Sequence, residues 1–169
     1  MIEVAIAVEP IWGADAGWEA CAIRAVNAAV SSGHAVALAN AEAAIEVSLR
    51  FADDAEVQTL NRDYRQKDKA TNVLSFPMHA PEEIGGLAHS DDPELMLGDI
   101  ILAHGVCARE AAERNISVEA HATHLIVHGT LHLLGYDHID EGEAAVMESL
   151  EQKIMASLGL HDPYAPIED

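Results

Sequence analysis

Positive charge is what this chain has least of. Lysine and arginine together number 9 against 29 acids, which leaves a formal net charge of −20 over 169 residues. A surface of that sign repels phosphate backbones and excludes nucleic-acid binding by general electrostatics. Any chemistry on nucleic acid must come from a local basic spot, a metal or a partner. Cysteine is scarce as well. Cys21 and Cys107 lie far apart, with no C-x-x-C pair, and read as two reduced, buried thiols of a cytosolic protein rather than as a disulfide or metal ligands. Nowhere do about eighteen apolar residues run together, which excludes a membrane-spanning helix. The opening MIEVAIAVEP has no basic n-region and carries Glu3 and Glu9, so it does not read as a signal peptide.

About half of the residues are apolar (50%), enough for one globular domain with its own core. Residues 2–8 alternate weakly and read as a strand. An Ala-rich stretch at 15–31 reads as a helix stopped by Gly33. Ile45, Val47, Leu49 and Phe51 alternate cleanly and make 44–51 a half-buried strand. Asp53 with Glu56 forms a capping pair that opens a helix to about Tyr64. Short strands follow at 71–76 and 97–103. Between them, residues 78–95 hold Pro81, Gly85, Gly86, Pro93 and several acids, which predicts a mobile acidic loop. Helices are expected at about 105–114, 117–134 and 140–158. Strands come mostly first and helices last, without a repeat or a domain boundary. The expectation is a single α+β domain over 1–169, with a small mixed sheet of about four strands and about five helices.

The chain has 10 histidines, and five of them fall between 121 and 138. On a helix His121, His124, His128 and His132 share one face. The stretch HGTLHLLGYDH, residues 128–138, spaces His128, His132 and His138 as H-x3-H-x5-H, the metal-binding spacing of the metzincin proteases. Imidazoles at i and i+4 can converge on one ion, Gly135 can end the helix in a left-handed turn, and the returning chain can bring in His138. Three protein ligands leave a position open, the pattern of a catalytic site, and Zn²⁺ is the ion expected, although imidazole also suits other transition metals. A 124/128/132 ligand set is disfavoured, since it spreads over roughly 12 Å of helix rise. His124 is better placed to back a ligand or touch substrate, and His121 reads as structural. Asp137 could orient an imidazole or cap the following helix. Where a protease carries its glutamate base, this chain has Gly129.

The bases are not evenly spread. Arg62, Arg65, Lys67 and Lys69 crowd into 62–69 with only Asp63 and Asp68 against them. The segment is either a solvated helix end that suits the helix dipole or a spot that attracts phosphate.

Four stretches together are similar to the YbeY family of bacterial endoribonucleases. They are NRDYRQKDKATNVLSFP at 61–77, LGDIILA at 97–103, EAHATHLIVHG at 119–129 and HGTLHLLGYDH itself. The resemblance runs from about residue 50 to 150, in order, without a departure at the site positions. It implies one Zn²⁺ per chain on His128, His132 and His138, and a functional Arg65. It implies a cytoplasmic enzyme that cuts single-stranded RNA in 16S ribosomal RNA 3′-end maturation and ribosome quality control. Small-subunit ribosomal proteins and an assembly GTPase are the partners it implies, with neither DNA nor membrane among them.

Gly129 fits that chemistry. Peptide hydrolysis needs a general base, whereas a phosphodiester gathers negative charge on phosphoryl oxygens, where a metal and a guanidinium help directly. The roles expected are therefore Arg65 and the metal held by His128 at the phosphate, Arg62, Lys67 and Lys69 as further phosphate contacts, and His124 as a proton carrier. Two rivals carry different expectations. A zinc hydrolase acting on amides matches the spacing but lacks the glutamate. A non-catalytic ribosome-assembly factor stapled by zinc matches the acidic surface, and would unfold without its metal.

Overall fold

The computed structural model describes residues 1–13 and 17–166. Four strands, β1 (Ile2–Val8), β2 (Ala44–Ala52), β3 (Val73–Pro77) and β4 (Glu94–Ala103), form one sheet in the order β1-β2-β4-β3. β1, β2 and β4 run parallel, and β3 closes the edge antiparallel to β4. Six α-helices accompany them: α1 (Trp18–Val30), α2 (Asp54–Arg65), the single-turn α3 (Ile84–Leu87), α4 (His104–Arg114), α5 (Val118–Leu133) and α6 (Glu141–Ser157). The domain is α+β with a mixed sheet, as the element order of the sequence suggests.

The period-2 pattern of β2 has its physical cause in burial. Ile45, Val47, Leu49 and Phe51 point into the main core, while Glu46, Ser48 and Arg50 face the other way. α1 and α5 cover the core face. α1 presents Ala22, Ala25 and Ala29, whose small side chains let α5 approach closely, and Cys21 Sγ lies 3.2 Å from the Thr123 hydroxyl. α2 and α4 pack on the opposite face around Ala52, Val57, Leu74 and Ala103. α5 is buried almost all round, through Leu125, Ile126, Val127, Leu131 and Leu133. A helix apolar on every side but one is a core helix, and its remaining stripe carries the histidines. Both cysteines are free and buried. Burial raises the Cys107 thiol to about 12 and also lifts Cys21, which keeps both unreactive.

Three expectations change. The helix foreseen at 15–31 is α1 from Trp18, and residues 15 and 16 lie outside the described residues. Residues 33–40 form a 3-10 segment anchored by buried Ala35 and Leu38. Most important, 78–95 is not a plain loop. A 3-10 turn at Pro81–Glu83 runs into α3, and Ile84 and Leu87 plug the core, so two apolar residues among the acids and glycines hold the segment down. β4 also begins three residues earlier than the sequence suggests, with a bulge where Glu46 pairs with Met96 and Val47 with Gly98. Gly98 has φ +152, and a Cβ there would meet the Phe76 carbonyl at 2.5 Å, so the bulge requires glycine. Among the described residues no helix is long and apolar enough to cross a membrane.

Candidate metal centre

α5 is capped by Ser117, whose side chain accepts from the Ala120 amide, and runs without a break to Leu133. It therefore delivers His128 and His132 one turn apart on the same side. The helix ends as the sequence suggests. Gly135 takes φ +96, and the Tyr136 amide reaches back to the Leu131 carbonyl at 3.0 Å. A side chain at 135 would also strike Pro81, at 2.9 Å from its Cβ. The returning chain brings His138 to within 5.0 Å of the His132 ring and 5.7 Å of the His128 ring. One nitrogen from each of the three lies within 4.8 Å of the others.

The hydrogen bonds behind the rings fix their tautomers. His132 Nδ1 lies 3.1 Å from the Tyr136 carbonyl, and His128 Nδ1 lies 3.2 Å from Glu151 Oε1. Both partners are acceptors, so both Nδ1 atoms carry the hydrogen and both Nε2 atoms present lone pairs. Those two Nε2 atoms face one another at 3.1 Å. Two lone pairs at that separation repel. A cation between them turns the conflict into two bonds, and tetrahedral Zn–N bonds of about 2.0–2.1 Å separate ligand nitrogens by about 3.3 Å. The donor set fits a zinc-type ion on geometry and on tautomer. Burial, together with the neighbouring His128 and His138, lowers the His132 pKa to about 4, so this ring is held in the neutral form that a metal needs.

Glu151 supports the arrangement. It sits on α6 with 0% exposure. Burial alone would raise its pKa, but hydrogen bonds from His124 Nε2, at 2.5 Å, and from His128 outweigh that and hold it down at about 2. It is an ionised carboxylate inside the protein, held by its donors.

Two recesses meet at the three histidines. A cleft of about 400 Å³ is walled by Arg65, Ser75, His79, His132, Tyr136 and His138. A smaller recess of about 270 Å³ lies beside His128 and His138, against Met147, Glu148 and Tyr164. Arg65 is held at the cleft wall in two ways: one terminal nitrogen donates to the Ser75 carbonyl at 2.6 Å, and its guanidinium lies 5.4 Å from the Phe76 ring centre. The remaining N–H groups of its fork are left for a ligand.

Other sequence-based expectations fare differently. Arg62 pairs with its neighbour Asp63 at 3.1 Å, and exposed Lys67 and Lys69 do not line the cleft. Of the basic cluster, Arg65 lines this cleft and the other three residues do not. His124 lines neither recess. Its ring is 13% exposed and bound to Glu151, one turn before His128 on α5. His121 is structural, buried with Nε2 2.9 Å from Glu110. Asp137 does not cap α6. It accepts the His138 amide at 2.8 Å, and Asp140 caps the helix by accepting from Glu143. Gly129 faces the sheet, where a Cβ would lie 3.1 Å from Ile100 Cγ2, so a side chain at this position must displace Ile100. Sequence reasoning missed Glu151, Tyr164, Ser75 and His79. Glu151 had a signal: it interrupts the buried stripe Met147, Ile154, Met155 of α6.

A family model described as Endoribonuclease YbeY matches residues 19–159. A relative in Rhizorhabdus wittichii bearing that name is 59% identical over 169 residues, spanning 100% of both chains. Another, from Sphingopyxis alaskensis, is 56% identical over 154 residues, 91% of this chain and 92% of its own. The fold is similar to a solution structure of a Thermotoga maritima protein, with a TM-score of 0.51 and 18% identity over 98% of this chain and 100% of that one.

Proposed function

Because the chain belongs to the endoribonuclease YbeY family, we propose that it is a zinc-dependent endoribonuclease. Its substrate in this reading is single-stranded RNA, with maturation of the 16S ribosomal RNA 3′ end and ribosome quality control as its cellular roles. The observation that carries the reading is the pair of imidazole lone pairs, on His128 and His132, aimed at one point on the wall of a cleft that also holds a guanidinium.

When bound at His128, His132 and His138, a zinc-type ion supplies Lewis acidity, drawing the pKa of water toward about 7 and polarising a phosphoryl oxygen. The chain's own residues do the rest. Arg65, braced by Ser75 and Phe76, offers a planar fork to the phosphodiester and steadies the charge that grows on its oxygens. Glu151 and the Tyr136 carbonyl hold the ligand rings in one tautomer. Gly129 supports phosphodiester over amide chemistry in this reading, since the position of the protease-type base carries no carboxylate and is crowded by Ile100. An acidic surface with one arginine in its cleft suits RNA that is delivered by basic partners. Small-subunit ribosomal proteins and an assembly GTPase fill that place in this reading.

Cleavage of a labelled single-stranded RNA by the purified protein, beside His132→Ala prepared identically, tests it. Cutting by the wild type alone supports the proposal. Equal cutting by both assigns the activity to a contaminant and overturns the assignment of the site.

A further inference from the structure

The family model ends at residue 159, but the fold of this site does not. After α6 the chain turns back along α5 and α6 as a short strap. The Pro163 carbonyl accepts from Arg114 at 2.9 Å, and Pro163 itself is buried. Asp162 takes the Gln152 side chain at 3.1 Å and the Tyr164 amide at 2.9 Å. These ties set Tyr164 beside the histidine stripe. Its hydroxyl donates to Glu151 Oε1 at 2.8 Å, and its ring stands edge-on to His124 at 5.9 Å.

Oε1 of Glu151 is therefore shared. It accepts from Tyr164 on one side and from His128 Nδ1, at 3.2 Å, on the other, while Oε2 takes His124. A carboxylate wholly removed from water is fixed by its donors, and three donors leave it one orientation. That orientation is the one that keeps the hydrogen of His128 on Nδ1 and its lone pair on Nε2. We infer that Glu151 and Tyr164 are positioning residues for His128, so that a strap lying beyond the family-matched segment sets the affinity of the metal centre. The inference rests on reading the three histidines as a metal site. Neither residue needs to touch substrate.

Carboxylates that orient a ligating histidine typically contribute about 10–100-fold to metal affinity. Glu151→Gln keeps the shape but places an amide N–H₂ among donors, and its Zn²⁺ affinity should fall in that range. Tyr164→Phe removes one hydrogen bond at a partly exposed position and should weaken binding several-fold while leaving the fold intact. The experiment is competition for Zn²⁺ between the metal-free full chain and a chromogenic chelator. It is run for the wild type and both variants, with circular dichroism of each metal-free form. A second readout is the long-range ¹H–¹⁵N spectrum of the His128 ring. It should report the Nδ1–H tautomer in the wild type and a mixture in the variants, which a merely structural role would not produce. If Glu151→Gln fails to fold, Tyr164→Phe decides alone. Variants that bind Zn²⁺ as tightly as a wild type that does bind it overturn the inference and leave the metal centre standing. A wild type that takes up no Zn²⁺ overturns both.

Discussion

α5 carries two pairs of histidines with nearly the same spacing on the same stripe, and they do different things. His128 and His132 turn Nδ1 toward acceptors and aim Nε2 at each other and the cleft. His121 and His124, two turns and one turn earlier, spend Nε2 on carboxylates instead, on Glu110 and Glu151. The difference is not in the spacing along α5. It comes from what stands around each ring: an acceptor at the back, Glu151 of α6 for His128 and the Tyr136 carbonyl for His132, frees the front nitrogen for metal, and a carboxylate at the front consumes it. Glu151 does both, backing His128 with one oxygen and occupying His124 with the other. A histidine stripe is thus a set of possible ligands, and the neighbouring helices choose among them.

Substitution within the two pairs should break the comparison most sharply. His132→Ala should lose Zn²⁺ and drop RNA cleavage to background, because the two remaining histidines do not hold a zinc ion. His121→Ala should keep both metal and cleavage. Its cost should be about 1–3 kcal/mol of stability, from the buried contact with Glu110. Metal content by elemental analysis, a cleavage assay and thermal melts of the two proteins separate these outcomes. Metal loss in His121→Ala would mean that the front and back arrangements are not distinct.

Arg65→Ala should come next in size. It removes the guanidinium held at the cleft wall by Ser75 and Phe76 but no metal ligand. Cleavage should fall about 10²–10³-fold, as for loss of one charge-stabilising donor, with Zn²⁺ retained. Alanine at Arg62, Lys67 or Lys69 should change cleavage little, since these exposed side chains stand away from the cleft. A loss as large as that of Arg65→Ala at any of them would return the whole basic cluster to the site.

Acid should act on His132 before it reaches the Glu151 carboxylate. His132 is lowered from 6.5 to about 4 by burial and by His128 and His138. Below about 6.5 the unfolded chain takes up a proton that the folded one refuses. The stability of the metal-free protein therefore falls as pH drops from 6.5 toward about 4. Glu151 is lowered from 4.5 to about 2, because its histidine donors outweigh its burial. Its contribution is present above 4.5 and is lost as pH falls toward about 2. Thermal midpoints of metal-free protein across this range should show the first decline, and His132→Ala should flatten it. His121, also lowered by burial, titrates in the same direction and leaves a residual slope.

How much of this was legible in the sequence follows the same division. The clustering of three histidines was, because helix spacing is local: i and i+4 fix His128 and His132, and Gly135 announces the turn that brings His138. The alternation of β2 and the Asp53 cap of α2 were legible for the same reason. Glu151 was not, since the partner of His128 stands 23 residues away on another helix, and only its place in an apolar stripe marked it. The basic cluster was legible only as a whole, because charge counts carry no direction: of its four members Arg65 lines the cleft, while Arg62 pairs with Asp63. The segment 78–95 misled because glycine, proline and acid outnumber the two residues, Ile84 and Leu87, that anchor it.

The smallest effect tests why the missing glutamate is missing. Gly129→Ala adds one methyl group, and helix propensity alone would gain about 1 kcal/mol. That methyl meets Ile100 at 3.1 Å from Cγ2 and 3.4 Å from both Cγ1 and Cδ1. Ile100 is itself fully buried in β4 under α5, so it cannot swing away, and overpacking costs about 1–3 kcal/mol. The net change should be a destabilisation of about 1 kcal/mol, read as a small drop in melting temperature with Zn²⁺ still bound. A gain in stability would mean that the helix can lift from the strand. Gly129 would then be a position where a side chain is accepted, and crowding by Ile100 would not stand against a protease-type base. A drop places the constraint in packing: α5 lies so close to β4 that position 129 carries no side chain, and the chemistry in the cleft must be of a kind that does not require one.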